Sequence, residues 1–121
     1  MSIGYDTHET PVIFRIWDNG AVTALFPTLP GAGDTLGAEC LAYEQRGGEQ
    51  SYDYATLMQR TYAAEPREYK ALAAALRQRN GYNLLVVNYA TDGMHRARRQ
   101  AAVEARREQM RSVTTVQPVR R

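Results

Sequence analysis

The stretch "VIFRIWDNGAVTALFP", Val12 to Pro27, constrains the fold more than any other part of the chain. Two runs rich in β-branched and aromatic residues flank Asp18-Asn19-Gly20, and an Asn-Gly pair supplies the positive φ angles of a type I′ turn. With Asn19-Gly20 as a two-residue loop, the expected register pairs Trp17 with Val22, Phe14 with Leu25 and Ile13 with Phe26. One face of the hairpin then carries Val12, Phe14, Ile16 and Leu25, and the other Ile13, Trp17, Val22 and Phe26. Both are apolar, whereas a hairpin wetted on one side alternates apolar with polar. This sheet therefore needs cover on both faces, and cover from within the domain is expected ahead of cover from a partner.

The rest of the chain offers that cover. Pro27 to Gly37 reads as a loop; its Gly31-Ala32-Gly33 is followed by neither the lysine nor the helix of a phosphate-binding loop. Ala38 to Glu44 is a third strand, which "QRGGEQS" breaks, and Tyr52 to Tyr62 is a short helix or turn opened by Asp53. From Pro66, the apolar positions Tyr69, Leu72, Ala73 and Leu76 fall at helical spacing until Asn80-Gly81 stops the helix. "YNLLVVNY", Tyr82 to Tyr89, reads as a central strand covered on both sides. Thr91 or Asp92 caps a last helix over 92–111. The expected fold is a small α+β domain with a mostly antiparallel sheet of about four strands, ordered β-β-β-α-β-α. Residues 1–11 form an irregular lead, 12–111 the single domain and 112–121 a loose tail.

A length of 121 residues suits one domain. The single cysteine, Cys40, excludes an internal disulfide and a four-cysteine zinc site, and suits a reducing, cytoplasmic setting. The opening "MSIGYDTHETP" has neither basic nor apolar character, so no signal peptide is expected. No apolar run reaches membrane-spanning length, so no membrane partner is expected. Net charge is +2, but it divides unevenly: residues 1–90 carry seven Lys/Arg against ten Asp/Glu, and 91–121 carry eight against three. A mildly acidic body bears a basic arm.

Catalytic and metal chemistry find little purchase. His8 and His95 are far apart in sequence, and no His/Cys spacing matches a zinc site, so neither metal nor cofactor is expected. Cys40 lies in a strand and reads as a buried small hydrophobe; a Cys40–His95 dyad would lack an orienting third group. Glu39, Glu44, Glu49 and Asp53 sit on and beside an expected strand edge, where charge deters edge pairing. The expectation is a protein that is not an enzyme. Of eight tyrosines, Tyr69, Tyr82 and Tyr89 are assigned to the core and its rim. Tyr43, Tyr52, Tyr54 and Tyr62 are candidate interface residues, since tyrosine combines contact area with a polar handle.

Several of these segments together resemble a known group. "VIFR", Trp17, Gly20, Val22, "ALFP", Cys40, Tyr43-Glu44, Asp53-Tyr54, Glu68-Tyr69, Leu72, Leu76 and Gly81-Tyr82 form a pattern similar to that of small proteins of bacteriophages, prophages and bacterial mobile elements. The chain departs from that pattern in its Arg-rich last helix and in "RGGEQS". The resemblance implies a mobile-element accessory protein and is silent on chemistry.

The last helix is the candidate binding element. Arg96, Arg99, Arg106, Arg107 and Arg111 fall on one arc of about 140°, with Val103 and Met110 inside it. Met94, Ala97, Ala101 and Ala105 form a narrow opposite stripe for packing. The arc can be a solvated face, a phosphate grip for nucleic acid, or an arm whose arginines pair with a partner's carboxylates. The phage resemblance favours the last: an inhibitor of a host protein or ribonucleoprotein complex, of the anti-CRISPR or other anti-defence kind, acting by occlusion. Trp17, Tyr52 and Tyr54 would supply its apolar anchor. A nucleic-acid-binding accessory protein and a small-molecule-signal sponge are the alternatives, and a homodimer is compatible with each.

Overall fold

A computed structural model of the chain describes residues 9–116. The expected lead therefore falls largely outside the described residues, as does the end of the tail, 117–121. Its architecture is α+β, with six strands and three helices among the described residues.

The sheet grows from the hairpin of β1 (Thr10–Ile16) and β2 (Val22–Pro30). The turn is not type I′. Only Gly20 has positive φ, +86°, so Asp18-Asn19-Gly20 forms a three-residue loop with Gly20 as its left-handed member. Trp17 N–H donates to Ala21 O at 2.8 Å, Gly20 N–H to Trp17 O at 2.9 Å, and Ala21 N–H to Asn19 Oδ1 at 3.0 Å. The extra loop residue moves the register by one, to Ile13↔Leu25, Phe14↔Ala24 and Ile16↔Val22. Since side chains alternate, that slip moves all of β2 to the other face. Phe26 and Val22 thereby join Val12, Phe14 and Ile16, while Leu25 joins Ile13.

Each face then has its own core. On one side Val12, Phe14, Val22, Ala24 and Phe26 pack under Leu72, Ala73 and Leu76 of α2 (Pro66–Arg79). Pro66 starts this helix, the Glu68 carboxylate accepts the Glu65 N–H at 2.7 Å, and Gly81 at φ +73° follows its end. On the other side Ile13, Leu25, Cys40 and Ala42 pack under Leu57 of α1 (Tyr54–Arg60). Asp53 caps α1, its carboxylate accepting from Thr56 N–H at 3.0 Å and Thr56 Oγ1 at 2.9 Å. Arg15 closes the other end, donating to Met58 O at 3.2 Å and Thr61 O at 2.7 Å. The two apolar hairpin faces are thus both buried by the chain itself.

Two strands stand where none was expected. "RGGEQS" does not end the sheet: β3 (Cys40–Glu44) turns into β4 (Gly48–Tyr52), which pairs with it antiparallel. Residues Tyr62–Ala63 form the short β5 against Arg15 and Ile16. The order across the sheet is β4-β3-β2-β1-β5, with β6 (Leu84–Val86) also on β1, parallel to it at Thr10–Val12. The stretch 82–89 is therefore not a central strand. Three of its residues pair, at an edge, with Leu85 and Val86 exposed. Its apolar run misled because β-branched residues serve an edge as well as a centre.

The last helix, α3, spans Asp92–Val116, five residues past the expected end and into the expected tail. Strand β1 likewise begins at Thr10, within the expected lead. No helix among the described residues is long and apolar enough to cross a membrane.

Candidate functional site

Helix α3 starts where Thr91 caps it: Thr91 Oγ1 accepts the Met94 N–H at 3.2 Å, and Asp92 places a carboxylate at the positive end of the helix. Its first part docks on the α1 side of the sheet. His95 packs edge-on against Tyr54, ring centroids 4.8 Å apart, and Ala102 is buried.

The anchor is Arg98, a residue outside the expected arc. It is 4% exposed, and no carboxylate pairs with it among the described residues. Its Nε donates to Gly37 O at 2.8 Å, and its Nη1 to Pro27 O at 2.9 Å and to His95 Nδ1 at 2.8 Å. A buried guanidinium is tolerated when its donors are spent on fixed acceptors. Pro27 lies within β2 and Gly37 in the loop that follows it, so Arg98 ties both the strand and the loop to the helix. Gly37 makes the approach close enough: at φ +72°, a Cβ there would stand 2.7 Å from Arg99 Cα. Since arginine only donates, His95 Nδ1 must be the bare nitrogen of a neutral ring. Burial, then the charges of Arg98 and Arg99, hold the His95 pKa below its ordinary value, against a weaker pull from Asp92.

The small-residue stripe differs from the expected one. Met94, His95, Arg98, Ala101 and Ala102 face the body, while Ala97 is exposed. Ala105 is exposed too, beside a cleft of about 210 Å³ between α3 and the Pro30–Thr35 loop. From Val103 to Arg111 no side chain is buried. All nine of these residues are exposed, and the helix runs on to Val116.

Arg96, Arg99, Arg106, Arg107 and Arg111 are all exposed. Arg111 pairs with Glu108 at 2.6 Å. The other four form no hydrogen bond or ion pair among the described residues. Val103, 39% exposed, and Met110, 63% exposed, lie among them. Gln100 donates to Glu104 at 2.9 Å, so the acidic residues of this helix are occupied on its flank.

Trp17 and Tyr52 stand side by side, centroids 5.9 Å apart, on the rim of the α1-side core. Both polar handles are spent within the chain. Trp17 Nε1 donates to Thr23 Oγ1 at 2.8 Å, and Thr23 Oγ1 and the Tyr52 hydroxyl both donate to Glu44. Burial, with the bond to Glu44, pushes the Tyr52 pKa up to about 12. Tyr54 accepts the Ala90 N–H at 3.0 Å, which fixes the entry to α3. The structure thus brings Tyr54 to the root of the arginine helix, while the arc is exposed, with Arg106 at the edge of the cleft beside the Pro30–Thr35 loop. Tyr43 and Tyr82 pack on Phe26 and Tyr69 stacks on Phe14 at 4.1 Å, whereas Tyr62 and Tyr89 are exposed; Tyr89 is not the core residue expected.

The remaining candidates are engaged. Cys40 is fully buried and burial pushes its pKa up to about 11, despite nearby Arg98, so the group is an inert thiol. Glu39 accepts from Ser51 Oγ at 2.7 Å, and backbone amides around Asp34 hold its carboxyl below the usual range. No group of three or more His, Cys, Asp or Glu among the described residues could hold a metal ion.

Arg98 was legible in one respect: it falls outside the arc of the other five arginines, on the side of Met94, Ala101 and Ala102. Its acceptors, Pro27 O and Gly37 O, are main-chain groups and carry no sequence signal. Comparison of the chain with models of known protein families, with curated proteins and with solved structures found no match.

Proposed function

We propose that this is a non-enzymatic binding protein that seats the exposed face of α3 in an acidic groove of a larger protein or ribonucleoprotein assembly and inhibits it by occlusion. The observation that carries this reading is the set of four exposed, unpaired guanidinium groups on a helix whose root is locked to the body. A rigid root matters because arginines held in one array lose less freedom on docking than arginines on a loose chain. Guanidinium groups recognise carboxylates in paired geometry. The exposed Val103 and Met110 between them favour a protein groove over a phosphate backbone, since buried apolar contact adds to charge there. The half-buried rings of Trp17 and Tyr52 are further aromatic surface on the same body. The resemblance to small phage and mobile-element proteins supports a bacterial host assembly as the target, with anti-CRISPR and other anti-defence inhibition as the setting.

The test is to express the tagged chain in a bacterial host and recover its partners at two salt concentrations, with and without nuclease. A defined protein complex that survives nuclease and moderate salt, and is lost when Arg99, Arg106 and Arg107 become Gln, upholds the reading. Recovery of nucleic acid alone, lost on adding salt, would make α3 a phosphate grip instead. A thermal shift with nucleotides and no polymer partner would indicate a small-molecule sponge.

A further inference from the structure

A second surface lies away from α3. Strand β6 forms an edge of the sheet beside β1. Thr10 N–H donates to Asn83 O at 2.7 Å and Val87 N–H to Val12 O at 2.9 Å. In the register Thr10↔Leu84, Pro11↔Leu85, Val12↔Val86, the alternate residues Leu84 and Val86 direct their N–H and C=O away from β1. No strand among the described residues pairs there. Leu85 is 40% exposed and Val86 39%, on opposite faces. The segment carries neither charge nor proline, and shortness is its sole protection against pairing.

Beside Val86, between β6 and α2, runs an open groove of about 470 Å³. Its apolar floor includes Tyr69 and Ala73, and its rim carries Arg67, Lys70 and Arg77. Lys70 and Arg77 share a helical face and have no ion-pair partner among the described residues; Arg67 pairs with exposed Glu65 at 3.1 Å.

We propose that the free edge of β6 and the adjoining cationic groove are a docking site for an extended acidic peptide segment of a protein partner. An added strand would take its main-chain hydrogen bonds from Leu84 and Val86. Its side chains would alternate, one set meeting Leu85 on the α1 side and the other reaching Lys70 and Arg77 on the α2 side. Acidic residues in the second set match the rim. A second copy of this chain is a poor occupant. Two β6 edges paired about a two-fold axis perpendicular to the sheet would bring two α2 helices together on one face, each with the same cationic rim. A nucleic-acid strand would lack the evenly spaced N–H and C=O groups that match a strand edge, and would leave the floor without apolar contact.

The test uses the full chain and a fluorescent peptide of about eight residues, long enough to span a strand, in which Glu and Val alternate. A control peptide carries Lys in place of Glu. Fluorescence anisotropy is expected to show binding of the Glu peptide and not of the Lys peptide. Lys70→Glu combined with Arg77→Glu should weaken it roughly tenfold, since two exposed ion pairs are replaced by two repulsions. Both positions are exposed, and an unchanged Tm would confirm that the fold survives. The bound peptide should slow amide exchange at Leu84 and Val86. Arg106→Gln with Arg107→Gln should leave peptide affinity unchanged, which separates this site from the α3 face. Equal binding of the two peptides, no binding of either, indifference to the charge reversal, or dimerisation through β6 would each overturn the proposal.

Discussion

The two ends of α3 use the same residue for opposite purposes. At the root, Arg98 is buried and spends its donors on Pro27 O, Gly37 O and His95. Past Ala102, Arg106 and Arg107 are exposed and have no partner among the described residues. Arg106 stands about two turns further along the same continuous helix, past Ala102, the last buried residue among those described, so where the body's cover ends decides which role each of these arginines takes. The root holds the fold and the outer face is left for recognition. A change at the root should therefore appear in stability, and a change on the outer face should appear in binding alone.

The largest effect is expected at Arg98. Arg98→Met keeps much of the stem but leaves two buried carbonyls unsatisfied, which should cost about 3 kcal/mol. Urea unfolding followed by circular dichroism measures this, and a loss under 1 kcal/mol would break the contrast between root and outer face. Next is Gly37→Ala, which adds a Cβ against the α3 backbone at a left-handed φ. It should cost roughly 2 kcal/mol and speed amide exchange in the root of α3.

A third expectation concerns pH. The native fold keeps His95 neutral, whereas the unfolded chain takes up a proton near the ordinary value of 6.5. Below that pH the unfolded state binds more protons, so stability should fall as pH drops from 7 toward 5 and be regained on return. Asp34 and Asp53 act in the same direction, but only around and below 3.8, so they do not obscure this window. His95→Gln should flatten the slope of Tm against pH between 7 and 5; an unchanged slope would show that the root does not depend on a neutral imidazole. The smallest effect on stability belongs to the outer face. Arg99→Gln, Arg106→Gln and Arg107→Gln together should shift unfolding by no more than about 0.5 kcal/mol, while abolishing recovery of the partner in the pull-down.

The same division explains what the sequence made legible. The hairpin, the two helices after Pro66 and after Thr91, and the need to cover both sheet faces all follow from side-chain periodicity and from Pro, Gly and capping residues. The register of the hairpin did not, because "DNG" fits both a two-residue and a three-residue loop, and that choice was made by Trp17 N–H finding Ala21 O. Strand β4 was obscured because "GEQSY" is polar, as an outer strand can be when its ladder rather than its burial orders it. The exposed arginines could be placed on one arc by arithmetic alone. Where the body lies against that helix could not, because it is set by the main-chain carbonyls of Gly37 and Pro27, 61 and 71 residues upstream of Arg98.

The divided edge of β1 has a consequence for how the chain reaches this fold. Its first half pairs with β6, joining Thr10 to Leu84, and its second half with β5, joining Arg15 to Ala63. During synthesis the β1–β2 hairpin is complete at Pro30, but one side of its inner strand waits for β5 at Tyr62–Ala63 and β6 at Leu84–Val86. Contacts so distant along the chain close slowly. In that interval Val12, Phe14 and Ile16 offer an apolar, hydrogen-bonding edge to any neighbouring nascent chain. Yield at high expression should therefore depend on how quickly residues 62–86 arrive, and slowing translation there would favour aggregates over folded protein.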